Sequence, residues 1–258
     1  MRCTPALLRV LYFFLSAAVA CAEADPPVLI TTTQTSADAQ TMVIGFVGGF
    51  VKRDNSVHST VQLVRHLRKR YPASAYIEAF ENRHRDKAYQ EIRRRLDRNH
   101  DGTISSVEKQ NARIVIFGHS WGASETVMLA RKLEQEGIPV LLTIQVDSVS
   151  KIGQNDTVIP TNVGEAVNFY QPHGIIHGES AIRAADPART QIVGNFRFDY
   201  KANPIRCEGY PWFDRVVVKT HTEIECDPKV WNQVETLIYS KLPPETRDTA
   251  ARQEPTQE

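Results

Sequence analysis

The chain has 258 residues, 41% hydrophobic and 24% charged, with a formal net charge of +1. That apolar content suffices for one sizeable domain with a full core. The near-neutral balance excludes the electrostatic footprint of a nucleic-acid or anionic-membrane binder. Two basic clusters, Arg65, Arg68, Lys69 and Arg70, then Arg93, Arg94 and Arg95, fall at helical spacing and read as solvated helix faces.

The first predicted element is a leader. Arg2 and Arg9 precede an apolar run at 10–15 that ends in small residues at 16–22. Charge, length and cleavage-site chemistry identify residues 1–22 as a secretory signal peptide, too short to span a membrane. Cleavage fits best after Ala22, with Ala20 as second choice, and Cys21 leaves a lipoprotein as the alternative. Loss of two arginines and no acid takes the exported chain to a net charge of −1. Of the four cysteines, Cys3 and Cys21 leave with the leader. Cys207 and Cys226 remain in an oxidising compartment, which predicts one disulfide.

Residues 23–40 form an irregular lead-in. The run 41–47 reads as a buried strand entering Gly48, Gly49 and Phe50. Apolar residues at 57, 61, 63, 64 and 67 predict an amphipathic helix, which Pro72 ends. A second strand follows at 75–80, then a helix at 87–96 and a polar loop at 97–108. The β-branched run 113–117 predicts a strand and 123–133 a helix. After Gly137 and Pro139 comes a strand at 140–146. A polar loop containing Gly153, Asn155, Asp156 and Pro160 leads to a strand at 165–170. The stretch 171–212 is rich in turn residues and has no readable order. A strand at 215–219 and a helix at 228–242 close the domain, and the tail 243–258 is charged and disordered. Strands alternating with helices predict an α/β domain over 23–242, with a doubly wound, mostly parallel sheet and the 97–108 loop as an insertion. The chain shows no internal repeat.

Between the 113–117 strand and the 123–133 helix stands Gly118-His119-Ser120-Trp121-Gly122. A serine on a sharp strand-to-helix turn flanked by glycines has the context of a nucleophile elbow. The glycines are needed because the serine takes strained backbone angles, and a flanking Cβ would collide with neighbouring chain. A serine hydroxyl is a poor nucleophile near neutral pH, so it requires a base, and the base an orienting acid. Asp147 ends the 140–146 strand and is the candidate acid; Asp156 and Asp186 are rivals in loops. His221, two residues past the 215–219 run, is the candidate base; His173 and His177 are its rivals. The N–H of Trp121 and that of Phe50 in the glycine loop are the candidate oxyanion donors.

The 118–122 elbow, the Asp147 strand end and His221 resemble the α/β-hydrolase superfamily over roughly residues 41–242. An acid so soon after the elbow helix is similar to the thioesterase-domain and lipase-like branches. Val47 departs from the pattern, standing where many members carry histidine, so the second oxyanion donor is open. The resemblance implies an α/β-hydrolase fold and a serine-dependent acyl hydrolase; with the leader, that is an exported serine hydrolase cleaving a carboxylic ester, or a thioester, of a small molecule or lipid. It implies no cofactor for catalysis; the near-neutral charge predicts no nucleic-acid partner and the short leader no stable membrane span, and the oligomeric state is open. The alternative is a non-enzymatic, calcium-binding exported module on a degenerate hydrolase scaffold.

The 97–108 loop carries the second motif. Asp97, Asn99, Asp101, Thr103, Ser105 and Glu108, with Gly102 at the turn, resemble an EF-hand calcium loop position for position. Ile104 occupies the inward apolar position. This resemblance implies a structural Ca²⁺ held by those six residues, with Thr103 contributing its carbonyl. The exiting helix has room for about one turn before the next strand, so the hand has no partner hand.

Overall fold

The computed structural model describes residues 39–244. The leader at 1–22 and all but the first two residues of the 243–258 tail lie outside the described residues. In chain order the elements are β1 (Gln40–Val47), α1 (Ser59–Arg70), β2 (Tyr76–Glu81), α2 (Arg85–Leu96), α3 (Ser106–Gln110), β3 (Ala112–His119), α4 (Trp121–Glu134) and β4 (Val140–Val146). Then follow β5 (Val158–Ile159), β6 (Val163–Tyr170), β7 (Arg183–Ala184), β8 (Gln191–Arg197), α5 (Trp212–Val216), α6 (Lys219–Cys226) and α7 (Pro228–Lys241).

Six strands form one sheet in the order β2-β1-β3-β4-β6-β8. Every pairing in it is parallel. β5 and β7 pair separately as a short parallel ribbon. Strands buried on both faces need apolar side chains on both, and β1 supplies them alternately. Met42, Ile44 and Phe46 pack with Ala88, Ile92 and Leu96 of α2 and Val127, Ala130 and Leu133 of α4. Val43 joins the opposite face, with Leu63, Val64 and Leu67 of α1 and Val230, Trp231, Val234 and Ile238 of α7. This is a doubly wound α/β arrangement: one sheet between two apolar layers. α7 starts cleanly because Pro228 needs no N–H partner at the first helical position and the Asp227 carboxylate accepts from Lys229 N at 2.8 Å.

The strand order reverses between β1 and β3. β1 leads into α1 on one face and β3 into α4 on the other, so the loops diverge and a crevice opens at the carboxyl edge. The Gly48–Gly49–Phe50 loop and Ser120 flank that crevice.

The chain departs from the sequence expectation at 215–219, which is the end of one short helix, a turn at 217–218 and the start of another, and not a strand. α5 ends at Val216 and α6 begins at Lys219. Three consecutive valines favour a strand locally, but a parallel strand needs burial on both faces. Val216 is 66% exposed and Val217 38%. The outer edge of the sheet is taken instead by β8, from the stretch that had no readable order. β8 is mostly exposed and shifts register against β6 between Ala166 and Val167, so it lacks an apolar run.

Candidate active site

Ser120 lies at the junction of β3 and α4 with φ +58° and ψ −127°. That backbone is costly for any residue with a Cβ and persists only where its surroundings hold it. Here the surroundings are two glycines in contact with backbone. A Cβ on Gly122 would sit 2.2 Å from Phe46 O, and one on Gly118 2.5 Å from Gly122 O. At this conformation the serine caps α4 without using its side chain, so Oγ makes no bond to the helix N–H groups. The N–H groups of Trp121 and Phe50 have no acceptor among the described residues. Their rings meet edge-on at 5.5 Å. Gly48 faces the serine directly, since a Cβ there would lie 2.9 Å from Ser120 Cβ.

Asp147 follows β4, one strand over from Ser120, and is fully buried. It also has a positive φ, +46°. Its Oδ1 accepts from Gly178 N at 2.7 Å and Gln171 N at 3.2 Å. Oδ2 accepts from Gln171 Nε2 at 2.9 Å and His221 Nδ1 at 2.6 Å. Four donors on two oxygens satisfy a buried carboxylate as an anion. Because the carboxylate can only accept, His221 must carry its proton on Nδ1, leaving the Nε2 lone pair free, the tautomer a general base requires.

His221 is the third residue of α6, so it reaches the sheet edge from a helix and not from a strand end. The His119 ring lies 4.6 Å from the His221 ring, tilted by 34°. Behind them Glu225, one turn after His221, accepts from His58 Nδ1 at 2.7 Å and stands 3.6 Å from His119 Nδ1. Burial opposes a charge on Glu225, but His119, His58 and His221 together hold its carboxyl below the usual range. His119 is buried, and desolvation brings its pKa down to about 4 despite the Glu225 charge. Its Nε2 has no hydrogen-bond partner among the described residues.

The rival residues sit elsewhere. Asp156 is buried and accepts from the hydroxyls of Ser148 and Ser150. Asp186 accepts from Ala188 N in an exposed turn. His173 pairs with Asp199 at 3.2 Å, and His177 approaches its neighbour's carbonyl, Gly178 O. A cavity of 1010 Å³, lined by residues of β7, β8 and the turn between them, includes none of Ser120, Asp147 and His221. The residues that sequence reasoning missed are Gln171, Gly178, His119, Glu225 and His58. Gln171 had a signal, since it directly follows the end of β6, the position that singled out Asp147 on β4. The others had none.

Cys207 and Cys226 form a disulfide with Cα atoms 5.7 Å apart, which ties the end of α6 to the segment before α5. In the 97–108 loop Gly102 has φ +85° and Ile104 packs against the core. The acids there hold backbone. Asp97 accepts from Asp101 N and Gly102 N, Asp101 from Thr103 N, and Glu108 from Arg98 N and Ser105 N. Among the described residues no three His, Cys, Asp or Glu side chains converge on one point that could hold a metal.

No protein-family model matches the chain, and no curated protein matches it. Solved structures are similar at a distance. A cutinase-like protein from Cryptococcus sp. aligns with 13% identity and a TM-score of 0.42, over 82% of this chain and 100% of that one. A thermostable esterase from Pseudomonas putida aligns with 11% identity and a TM-score of 0.41, over 80% and 76%. RedJ, with polyethylene glycol in its active site, aligns with 11% identity and a TM-score of 0.37, over 80% and 96%. Likeness this distant concerns the fold and says nothing about the chemistry of Ser120.

Proposed function

We propose that this protein is an exported serine hydrolase that cleaves a carboxylic ester through Ser120, His221 and Asp147. The observation that carries the reading is the 2.6 Å bond between Asp147 and His221, whose ring lies 4.6 Å from that of His119, the residue before a serine held at φ +58°. His221 Nε2 takes the Ser120 proton as Oγ attacks the carbonyl carbon. The tetrahedral oxyanion is received by the N–H groups of Trp121 and Phe50. His221 then gives the proton to the leaving alkoxide, leaving an acyl-enzyme. Water enters, His221 removes its proton, and the acid departs with Ser120 restored. Asp147 stays ionised throughout and favours the imidazolium that forms twice per cycle. Thioesters, acyl transfer and amides use the same constellation, and export favours esters over coenzyme-A thioesters. The disulfide supports an oxidising, exported setting. Among the described residues no helix is long and apolar enough to cross a membrane.

Calcium has no step in this chemistry. We propose it as a structural ion in the 97–108 loop, supported by the oxygen-bearing residue at each ligand position.

The test is labelling by a fluorophosphonate, which reacts only with an activated serine, followed by turnover of p-nitrophenyl esters of rising chain length. Wild type should label and turn over, and Ser120→Ala and His221→Ala should do neither. Loss of one such residue typically costs roughly 10⁴-fold or more in rate. An unlabelled, inactive wild type would leave the calcium-binding module as the reading.

A further inference from the structure

The second oxyanion donor lies in the Gly48–Phe50 loop, and Val47 before it has no side-chain polar group to orient that loop. A residue on the neighbouring strand supplies the missing constraint. β1 and β2 run parallel in register up to Val47 and Glu81, so Asn82 emerges beside the Gly48–Phe50 loop. Asn82 is buried, and its Nδ2 donates to Val47 O at 3.3 Å and Gly49 O at 2.5 Å. Two carbonyl oxygens at one end of an amide admit only its NH₂, so the orientation of this side chain is fixed by chemistry.

The consequence follows from peptide geometry. In a planar trans peptide C=O and N–H point in opposite directions. The strand order β2-β1-β3 puts Asn82 on one side of β1 and Ser120 on the other. Drawing Gly49 O toward β2 therefore turns Phe50 N–H toward β3 and the serine. Gly49 takes this turn at φ +46°, where a left-handed backbone suits glycine. Asn82 is itself held. Lys151 Nζ donates to Asn82 O at 3.1 Å and to Glu125 Oε1 at 2.7 Å. Arg85 Nη1 holds the other oxygen of Glu125, a buried residue of α4, at 3.0 Å.

We propose that Asn82 is a positioning residue that presents the Phe50 N–H to the oxyanion, doing from β2 what no side chain at Val47 can do. It touches neither substrate nor reacting atoms, and the proposal rests on the ester-hydrolase reading. The experiment compares wild type with Asn82→Asp, which keeps the shape but sets an acceptor against two carbonyls, and with Asn82→Ala. Turnover of p-nitrophenyl butyrate and inhibition by an alkyl trifluoromethyl ketone, whose serine adduct places an oxyanion in the same hole, are measured at several pH values. Direct loss of an oxyanion donor costs roughly 10²–10³-fold, so misorientation should lower kcat by about 10- to 100-fold. KM should stay within about threefold, and inhibitor affinity should weaken by the same factor as kcat/KM. The acid limb of the pH profile should not move, because His221 is untouched.

Variants with kcat within twofold of wild type would overturn the proposal. So would a loss of kcat that the ketone's affinity does not follow, since that marks general damage. If melting curves show that neither variant folds, the same readouts pass to Lys151→Met, which leaves Asn82 in place and removes the ammonium that holds its carbonyl. There a several-fold loss of kcat tracked by ketone affinity supports the proposal, and unchanged kcat overturns it. A wild type that neither turns over nor labels sinks the hydrolase reading itself, and this inference with it.

Discussion

Asp147 is fully buried, and its charge is tolerable only because four donors meet it. Replacing it by Asn keeps the shape, but an NH₂ group at the Oδ2 position faces both Gln171 Nε2 and His221 Nδ1. The His221 tautomer then inverts, and kcat should fall by roughly 10³- to 10⁴-fold with the fold retained. Asp156→Asn in parallel should leave kcat nearly unchanged, because that carboxylate serves Ser148 and Ser150. The reverse result would move the acid to Asp156. Gly122 invites a second single-residue test. Its missing Cβ leaves room for Phe46 O, backbone that cannot swing aside. Gly122→Ala should therefore destabilise the chain by about 3 kcal/mol, at the upper end of overpacking costs, as read by urea unfolding. Wild-type stability in that variant would mean the elbow has slack.

Two elements carry consequences of their own. α6 bears His221 and Glu225 and ends at Cys226, whose disulfide to Cys207 closes a loop containing the base. The closed loop spans a sequence separation of 19, worth roughly 3 kcal/mol in the chain-entropy model. The Cys207→Ser, Cys226→Ser pair should lose about that much stability and also kcat, because α6 loses an anchor next to the base. Peptide mapping without reductant that finds both thiols free would remove the premise. The 97–108 loop makes a weaker demand. Asp97, Asp101 and Glu108 are three acids in one exposed loop that calcium would draw together. At free calcium tenfold above Kd, linkage stabilises by about 1.4 kcal/mol, a rise of a few degrees in melting temperature. Glu108→Gln should abolish the difference between calcium and chelator. Equal melting of wild type in both would make the loop a plain turn.

The buried cluster behind the site gives the whole molecule a pH dependence. His119 faces Glu225 and His221 from α6, Asp147 from the end of β4 and His58 from the start of α1. Burial favours its neutral form, with a folded pKa of about 4 against an ordinary 6.5. The unfolded chain therefore takes up this proton first as pH falls. The contribution is complete above about pH 6.5 and is lost progressively between there and pH 4, up to about 3 kcal/mol. Urea midpoints at pH 7, 5 and 4 should fall accordingly, and His119→Gln should flatten that window. An unchanged slope in His119→Gln would assign the acid sensitivity to other groups.

The sequence by itself determined the strands β1, β3, β4 and β6, because a strand covered by helices on both faces must be apolar along its length. It determined the elbow, because only glycine leaves room for backbone on either side of a strained serine. It pointed to Asp147, since residues that end parallel strands gather at one edge of the sheet. Cysteine count alone predicted the disulfide. The tertiary structure decided that 215–219 joins two short helices and is no strand, because the outer edge of the sheet belongs to β8 and the valines find no second buried face. It also decided every long-range polar partner. His221 and Asp147 are separated by 74 residues and His58 and Glu225 by 167. Such pairs depend on which strand ends and helix starts meet in space, and local propensity carries no trace of that. Asn82 is the sharpest case: its role exists only because β2 lies beside β1 on the side away from the serine.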